Sequence, residues 1–331
     1  MTLKVLFIGG TGVISSACSE LALARGIDLY LLNRGQSSRL IPEGTTQLIG
    51  DIRQPETVRK AIAEHTFDVV VDWIAFSPEH IETDVALFKG KTNQFIFISS
   101  ASAYQTPPRK LPITESTPLH NPFWAYSRAK AACEERLMRA YREEDFPAVI
   151  IRPSHTYDCT KLPVHGYYTT VQRMRQGKKV ILHGDGTSLW TLTHHRDFAK
   201  AFVGLMGNSL ANGEAFHITS DEVLTWNQIY DMVAQAAGTT ADIVHVPSSL
   251  IGAYDPEWGE KLLGDKANNM VLDNSKIKRY VPDFEATIPF SVGAKEIMAW
   301  FDADPARQEV DPEMDALMDK LIAVYEGMLP D

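Results

Sequence analysis

Two rhythms of apolar residues alternate through the first half of the chain. Residues 4–8 read as a short buried strand, Val5-Leu6-Phe7-Ile8 stopping at Gly9-Gly10. Ile14, Ala17, Cys18, Leu21 and Ala22 then recur at helical spacing, and Gly26 lies just past them, where a left-handed cap is common. The same reading predicts strands over 29–32, 46–49, 69–72, 95–98 and 148–151, and helices over 55–64 and 126–144. Val69-Val70-Val71 shows no polar alternation, which suits a sheet covered on both faces. Strands separated by helices pair in parallel through right-handed crossovers. Residues 1–160 are therefore expected to form a doubly wound α/β domain with a parallel sheet.

The rhythm loosens after about residue 160. Helices are expected over 167–176, 198–205, 226–237 and 292–301, with short strands over 180–183, 215–218 and 243–246. Residues 161–331 then make a smaller mixed α/β substrate lobe, with segments around 196–220 returning to the first domain. An amphipathic helix over 311–327 ends the chain.

Composition narrows the partners. Of 331 residues 44% are hydrophobic and 22% charged, ordinary values for a packed globular chain. The net charge of -10 runs against nucleic-acid binding, which calls for a basic surplus. Cys18, Cys133 and Cys159 are too far apart for a zinc ribbon or a disulfide framework. No apolar run is long enough to span a bilayer and no targeting segment is visible, so a cytoplasmic protein without a membrane partner is expected.

The turn Gly9-Gly10-Thr11-Gly12-Val13-Ile14 joins a buried strand to a helix. Such a turn aims backbone N–H groups and the positive helix end at a phosphate pair, and its glycines let the ligand approach. It points to a dinucleotide and hence to a Rossmann fold. The second strand ends in Asn33-Arg34, without the acid that would hold the ribose hydroxyl of NAD. Arg34 suits the 2′-phosphate of NADP, with NAD under a stacked arginine as the alternative. Asp51 and Ile52, after the third strand, are candidate adenine contacts.

Tyr126 and Lys130 lie one helical turn apart and share a face. A tyrosine is a poor base, with a pKa near about 10. An adjacent ammonium and an oxidised nicotinamide favour its phenolate, so Tyr126 can pass a proton while hydride moves at carbon. Ser100, closing the strand over 95–98, is placed to hydrogen-bond the reacting oxygen.

Together these parts resemble the extended short-chain dehydrogenase/reductase superfamily, in its branch of nucleotide-sugar epimerases and dehydratases. The resemblance takes in the glycine turn, Ser100 four residues before Tyr104, the Tyr126/Lys130 pair, Ile151-Arg152-Pro153 and Asp197-Phe198-Ala199. It implies Ser100, Tyr126 and Lys130 as the catalytic set, Lys130 also holding the nicotinamide ribose, and Trp73, Ile74, Ala75 and Pro153 lining the cofactor. It suggests a homodimer through helices of the main domain. Asn33-Arg34-Gly35 looks like a subgroup that includes chloroplast stem-loop-binding proteins. A non-catalytic nucleotide-sensing or RNA-binding relative is therefore the alternative to an epimerase, dehydrogenase or reductase acting on a sugar or sugar nucleotide.

Several positions depart from the pattern. Ser15 stands where a third glycine is usual. Ala101 and Ser102 replace the carboxylates of sugar dehydratases, which argues against that reaction. Trp190 occupies the place of an arginine that grips a substrate diphosphate, and His155 replaces an asparagine; both are candidate substrate contacts. The expectation is a substrate other than a nucleotide diphosphate sugar, unless Arg173, Arg175, Lys178, Lys179 or Arg196 restores the charge. His194 and His195 lack a third partner at ligand spacing, and no metal site is expected.

Overall fold

The computed structural model describes residues 2–36 and 39–328; Met1 and residues 329–331, at the outer ends of the two expected domains, lie outside it. The first strands are β1 (Lys4–Ile8), β2 (Asp28–Asn33), β3 (Thr46–Ile49), β4 (Phe67–Asp72), β5 (Thr92–Ile98) and β6 (Ala148–Pro153). Between them run helices α1 (Val13–Ala24), α2 (Pro55–Ala61), α3 (Pro78–Phe88) and α4 (Ala125–Glu144). Every pairing is parallel in a seven-stranded sheet of order β11-β6-β5-β4-β1-β2-β3, where β11 is Ala215–Ile218. The order reverses between β1 and β4, and ligands of such sheets bind beyond the strand ends at that switch.

Side-chain alternation divides the core between the two sheet faces. Phe7, Leu31, Val71 and Ile96 meet Ala17 and Cys18 of α1 and Phe198 and Phe202 of α6 (His195–Leu205). Leu6, Val70, Phe95 and Phe97 meet Ile81 and Phe88 of α3 and Cys133 and Leu137 of α4. Each fully buried apolar side chain contributes roughly 1.5–3 kcal/mol to folding. This is the doubly wound Rossmann architecture that the apolar runs predict, with two differences of detail. Helix α2 stops at Ala61, three residues before the expected end. Helix α3 was not predicted, because Asp84 interrupts its apolar stripe; its carboxylate is nonetheless fully buried. The strand expected over 215–218 lies beside β6 at the edge of the main sheet, in the segment expected to return to it.

The remaining elements form the region beside the strand ends. Strands β7 (His155–Tyr157) and β10 (Leu192–His194) pair in parallel, and β9 (Leu189–Trp190) pairs antiparallel with β12 (Leu224–Thr225). Strand β8 (Lys179–His183) pairs with β13 (Asp242–Val246). Helices α5 (Tyr168–Arg175), α7 (Trp226–Ala236) and α11 (Phe290–Asp302) pack into a second core around Trp190, Trp226 and Tyr157. A third core joins Ile181 and Val246 to α8 (Ser248–Tyr254), α9 (Pro256–Lys261) and α12 (Pro312–Glu326). Helix α10 (Ser275–Tyr280) packs Ile277 against the main sheet. No helix among the described residues is long and apolar enough to cross a membrane.

Candidate active site

The glycine turn is shaped by its neighbours. Gly9 has φ +85°, and a Cβ there would lie 2.7 Å from Ile74 Cγ2. A Cβ on Gly10 would lie 2.3 Å from Leu31 Cδ2, so the turn is pressed against β2. Ser15, in the place of the third glycine, ties the turn together: its Oγ accepts from the Gly12 amide at 2.7 Å and donates to the Gly9 carbonyl at 3.1 Å. Gly12 is the exposed N-cap of α1 and offers no side-chain cap. Backbone alone therefore fronts the positive end of a 12-residue helix at the sheet's switch point, which fits the diphosphate of a dinucleotide.

The other expected cofactor contacts surround this turn. Thr11, Val13 and Ile14 are half-buried on it. Asn33 Oδ1 accepts from the Gly35 amide at 2.9 Å and from Gln47 at 3.1 Å, while Arg34 is exposed. Asp51 Oδ1 accepts from the Arg53 amide at 2.9 Å, and Ile52 is buried. Arg53 reaches the carbonyl of Ile74. Trp73 packs on Phe202 at 4.8 Å, and its Nε1 is buried with no partner among the described residues.

Ser100, Tyr126 and Lys130 open onto one cavity of about 380 Å3, together with Ile14, Trp73 and Pro153. Three hydroxyls are linked beside it. Ser127 donates to Ser102 Oγ at 2.8 Å, and Ser102 and Ser100 share a hydrogen bond at 2.9 Å. Since Ser102 already accepts from Ser127, its own proton is free for Ser100, and the Ser100 proton is free for Tyr126. Burial pushes the Tyr126 hydroxyl up to about 12, against a hydrogen bond from Ser100 that pulls it down. Lys130 is 2% exposed and donates to the carbonyls of Ala75 and Ile98, both at 2.7 Å. Burial pulls its ammonium down to about 8. In the protein alone, then, Lys130 does not bring Tyr126 into working range. The expected phenolate needs a further positive charge, because desolvation outweighs the neighbours already there.

Ser99, beside Ser100, also borders the cavity, but its hydroxyl is engaged elsewhere. Its Oγ donates to Glu134 at 2.5 Å, and Glu134 pairs with Arg152 at 2.6 Å. Arg152 lies 4.7 Å over the Tyr104 ring, and Tyr104 hydrogen-bonds His217 at 3.0 Å. This buried network pins α4 to the ends of β5 and β6. His194 caps α6 through Nδ1 and binds Glu296 through Nε2 at 3.0 Å.

The far wall of the cavity holds residues that the periodicity did not mark. A turn of π-helix over Leu262–Lys266 brings Asp265 and Lys266 to it. The Lys266 carbonyl accepts from His183 at 3.0 Å, Trp226 at 3.0 Å and Ser188 at 3.1 Å. The Gly264 carbonyl accepts from Asn121 at 2.6 Å, just before α4. The cavity thus has a carboxylate after all, though not at Ala101 or Ser102. Trp190, 2% exposed, packs on Trp226 at 5.3 Å and donates to His155 Nδ1 at 3.2 Å. The five cations expected to replace the arginine do not line the cavity. Arg173 pairs with Asp315 and Asp319, Arg175 with Asp302, Lys178 with Asp315, Lys179 with Glu326 and Arg196 with Glu296. Lys161 and Lys266 line it instead.

A parallel Rossmann sheet with a glycine turn at its switch point and a serine, a tyrosine and a lysine gathered on the adjoining cavity defines the extended short-chain dehydrogenase/reductase class. Within it the chain belongs to the NAD dependent epimerase/dehydratase family, whose pattern matches residues 5–219. It is 25% identical over 289 residues to the 2'-dehydrokanamycin reductase of Streptomyces kanamyceticus, covering 86% of this chain and 80% of that one. It is 26% identical to the chloroplast stem-loop binding protein of 41 kDa b of Arabidopsis thaliana, over 73% of this chain and 65% of that protein. Among solved structures it resembles the epimerase Mth375 of Methanothermobacter thermautotrophicus, with TM-score 0.76 at 18% identity, over 93% and 94% of the two chains. It also resembles the dTDP-glucose 4,6-dehydratase of Bacillus anthracis, with TM-score 0.74 at 20% identity, over 92% and 98%.

Proposed function

We propose that the chain is an NAD(P)-dependent oxidoreductase acting on a sugar-like secondary alcohol or ketone. The observation that carries this reading is the convergence of Ser100, Tyr126 and Lys130 on the cavity that Ile14 of the glycine turn also lines. Bound NAD(P) would supply the hydride carrier and, when oxidised, a positive charge. Tyr126 gives a proton to the substrate oxygen during reduction and takes it back during oxidation. Ser100 orients that oxygen, and Lys130 has one N–H left for ligand after its two carbonyl contacts.

Reduction with NADPH is the form favoured here. Arg34 is exposed and no acid stands at Asn33, a combination that accommodates a 2′-phosphate. The likeness to a reductase over most of both chains supports the same direction. RNA binding is a second reading, favoured by the likeness to a stem-loop binding protein and opposed by the net charge of -10.

Thermal melting of nucleotide-free protein with NAD, NADP or a short stem-loop RNA separates these readings. A ligand at about 100 times its Kd adds roughly 2.7 kcal/mol of stability. NADP should give the largest shift, and Arg34→Ala should weaken NADP by about 10-fold or more while sparing NAD. No shift with either dinucleotide overturns the oxidoreductase reading.

A further inference from the structure

The geometry points to a built anion site at the neck of the reactive cavity, where Lys161, Lys266 and His155 would hold a carboxylate or phosphate group of the substrate. This rests on the cavity being the reactive site, and it adds the substrate's chemical class.

Three observations carry it. The first is position. The catalytic cavity runs into a second recess of about 230 Å3, and Trp124, His155, Lys161 and Lys266 line both, so these four mark the neck between them. The second is donor content. Trp190 donates to His155 Nδ1, so a neutral His155 carries its proton on Nε2 and presents a donor. Burial, then the charges of Lys266 and Lys161, hold that imidazole well below its ordinary range, in the neutral form. Lys161 and Lys266 add two ammonium groups, and burial together with Lys266 lowers the ammonium of Lys161.

The third is charge balance. Asp265 is the carboxylate beside Lys266, at 3.6 Å. Burial pushes its carboxyl up and Lys266 pulls it back, so this one carboxylate faces two ammonium groups. Asp158, the acid close to Lys161, is engaged by Arg39 at 2.8 Å and by Thr160 at 2.6 Å. Lys161 forms no side-chain ion pair among the described residues. Two ammoniums held together at a half-buried neck repel each other, and a bound oxyanion reverses that repulsion. It would also gain charge-assisted hydrogen bonds. The site stands apart from the missing arginine: Trp190 fills that place and supplies only the hydrogen bond that fixes His155.

The rest of the neck keeps the donors in place. The π-helical turn aims Lys266 while three donors lock its carbonyl. The recess beyond is walled by Trp226, Trp258 and Tyr167, with Lys261 at its side. The substrate is therefore an acid whose reacting carbinol or carbonyl carbon reaches Tyr126, with an apolar or ring-bearing remainder in the recess.

The test titrates the full-length protein with inorganic phosphate and, separately, with malonate, reading intrinsic tryptophan fluorescence. Lys266 Nζ lies 5.8 Å from the Trp124 ring and 5.9 Å from that of Trp190, so an anion at the neck changes their emission. Titrations are run with saturating NADP, which keeps phosphate off the glycine turn, and repeated without it. Saturable binding is expected, with Lys161→Met and Lys266→Met each weakening it about 10-fold or more. Lys266→Arg should retain it, and Lys178→Met, on the outer surface, should leave it unchanged. Tighter malonate binding assigns a carboxylate, and tighter phosphate binding a phosphate ester. Equal affinity in wild type and both methionine variants overturns the proposal, as does the absence of saturable binding by both fluorescence and thermal melting. Failure of both NAD and NADP to bind would sink the oxidoreductase reading instead, and the lysine comparison without dinucleotide would still decide this one.

Discussion

Tyr126→Phe removes one oxygen and leaves the ring in place between Trp124 at 4.9 Å and Phe76 at 6.4 Å. Cofactor affinity should therefore change little. The hydroxyl it removes sits at about 12 in the protein alone, so almost none is ionised at neutral pH. To act as a base near pH 7 it must fall by about 5 units, which at about 1.4 kcal/mol per unit is on the order of 7 kcal/mol. Lys130 cannot supply that by itself, because its ammonium is turned toward the Ala75 and Ile98 carbonyls and is itself pulled down to about 8. On the proposed function, the rest would come from the positive charge of a bound oxidised nicotinamide. A near-ultraviolet phenolate titration checks this without a known substrate. The complex with oxidised cofactor should show a tyrosine titrating several units lower than the free protein. Tyr126→Phe should lack it, and its turnover should fall about 10²-fold or more. A cofactor-dependent phenolate that persists in Tyr126→Phe, or unchanged turnover, refutes the assignment.

Two further perturbations test the support around that group. Ser102→Ala cuts the hydroxyl chain behind Ser100; the loss of about 1 kcal/mol per hydrogen bond predicts about 5-fold lower turnover with unchanged cofactor affinity, read by steady-state kinetics. Glu134→Leu strands the buried Arg152 charge and should cost about 3–5 kcal/mol in urea unfolding, because an unpaired buried cation has no solvent to relieve it. A loss below about 1 kcal/mol would mean that the pair is not what pins α4.

The pH dependence of Lys130 has a definite sign. Its folded pKa of about 8 lies below the ordinary lysine value, so the charged form is disfavoured in the fold. Between about 8 and about 10.5 the unfolded chain binds more protons, and the Lys130 contribution to stability rises with pH over that window. Lys130→Met should flatten that rise in melting temperature, whereas an unchanged slope would exclude Lys130 as its source.

What was legible in the sequence was whatever is local. Strands β1, β4 and β5 each carry a continuous apolar run, which a parallel sheet buried on both faces requires. The glycine turn and the Tyr126/Lys130 spacing are likewise local, since a turn or one helical turn places their atoms without help from the rest of the fold. Helix α3 escaped because Asp84 interrupts its apolar stripe, and only the packed structure shows that carboxyl fully buried, its pKa raised by desolvation and then by Asp72. The far wall escaped for a different reason. Lys161 sits on a loop and Asp265 and Lys266 on one π-helical turn, where no periodicity marks a side chain's direction. Their meeting with Tyr126 depends on the Lys266 carbonyl gathering three donors from distant segments. The local chain thus set the glycine turn and the Tyr126/Lys130 pair, while long-range packing decided which charges line the cavity with them.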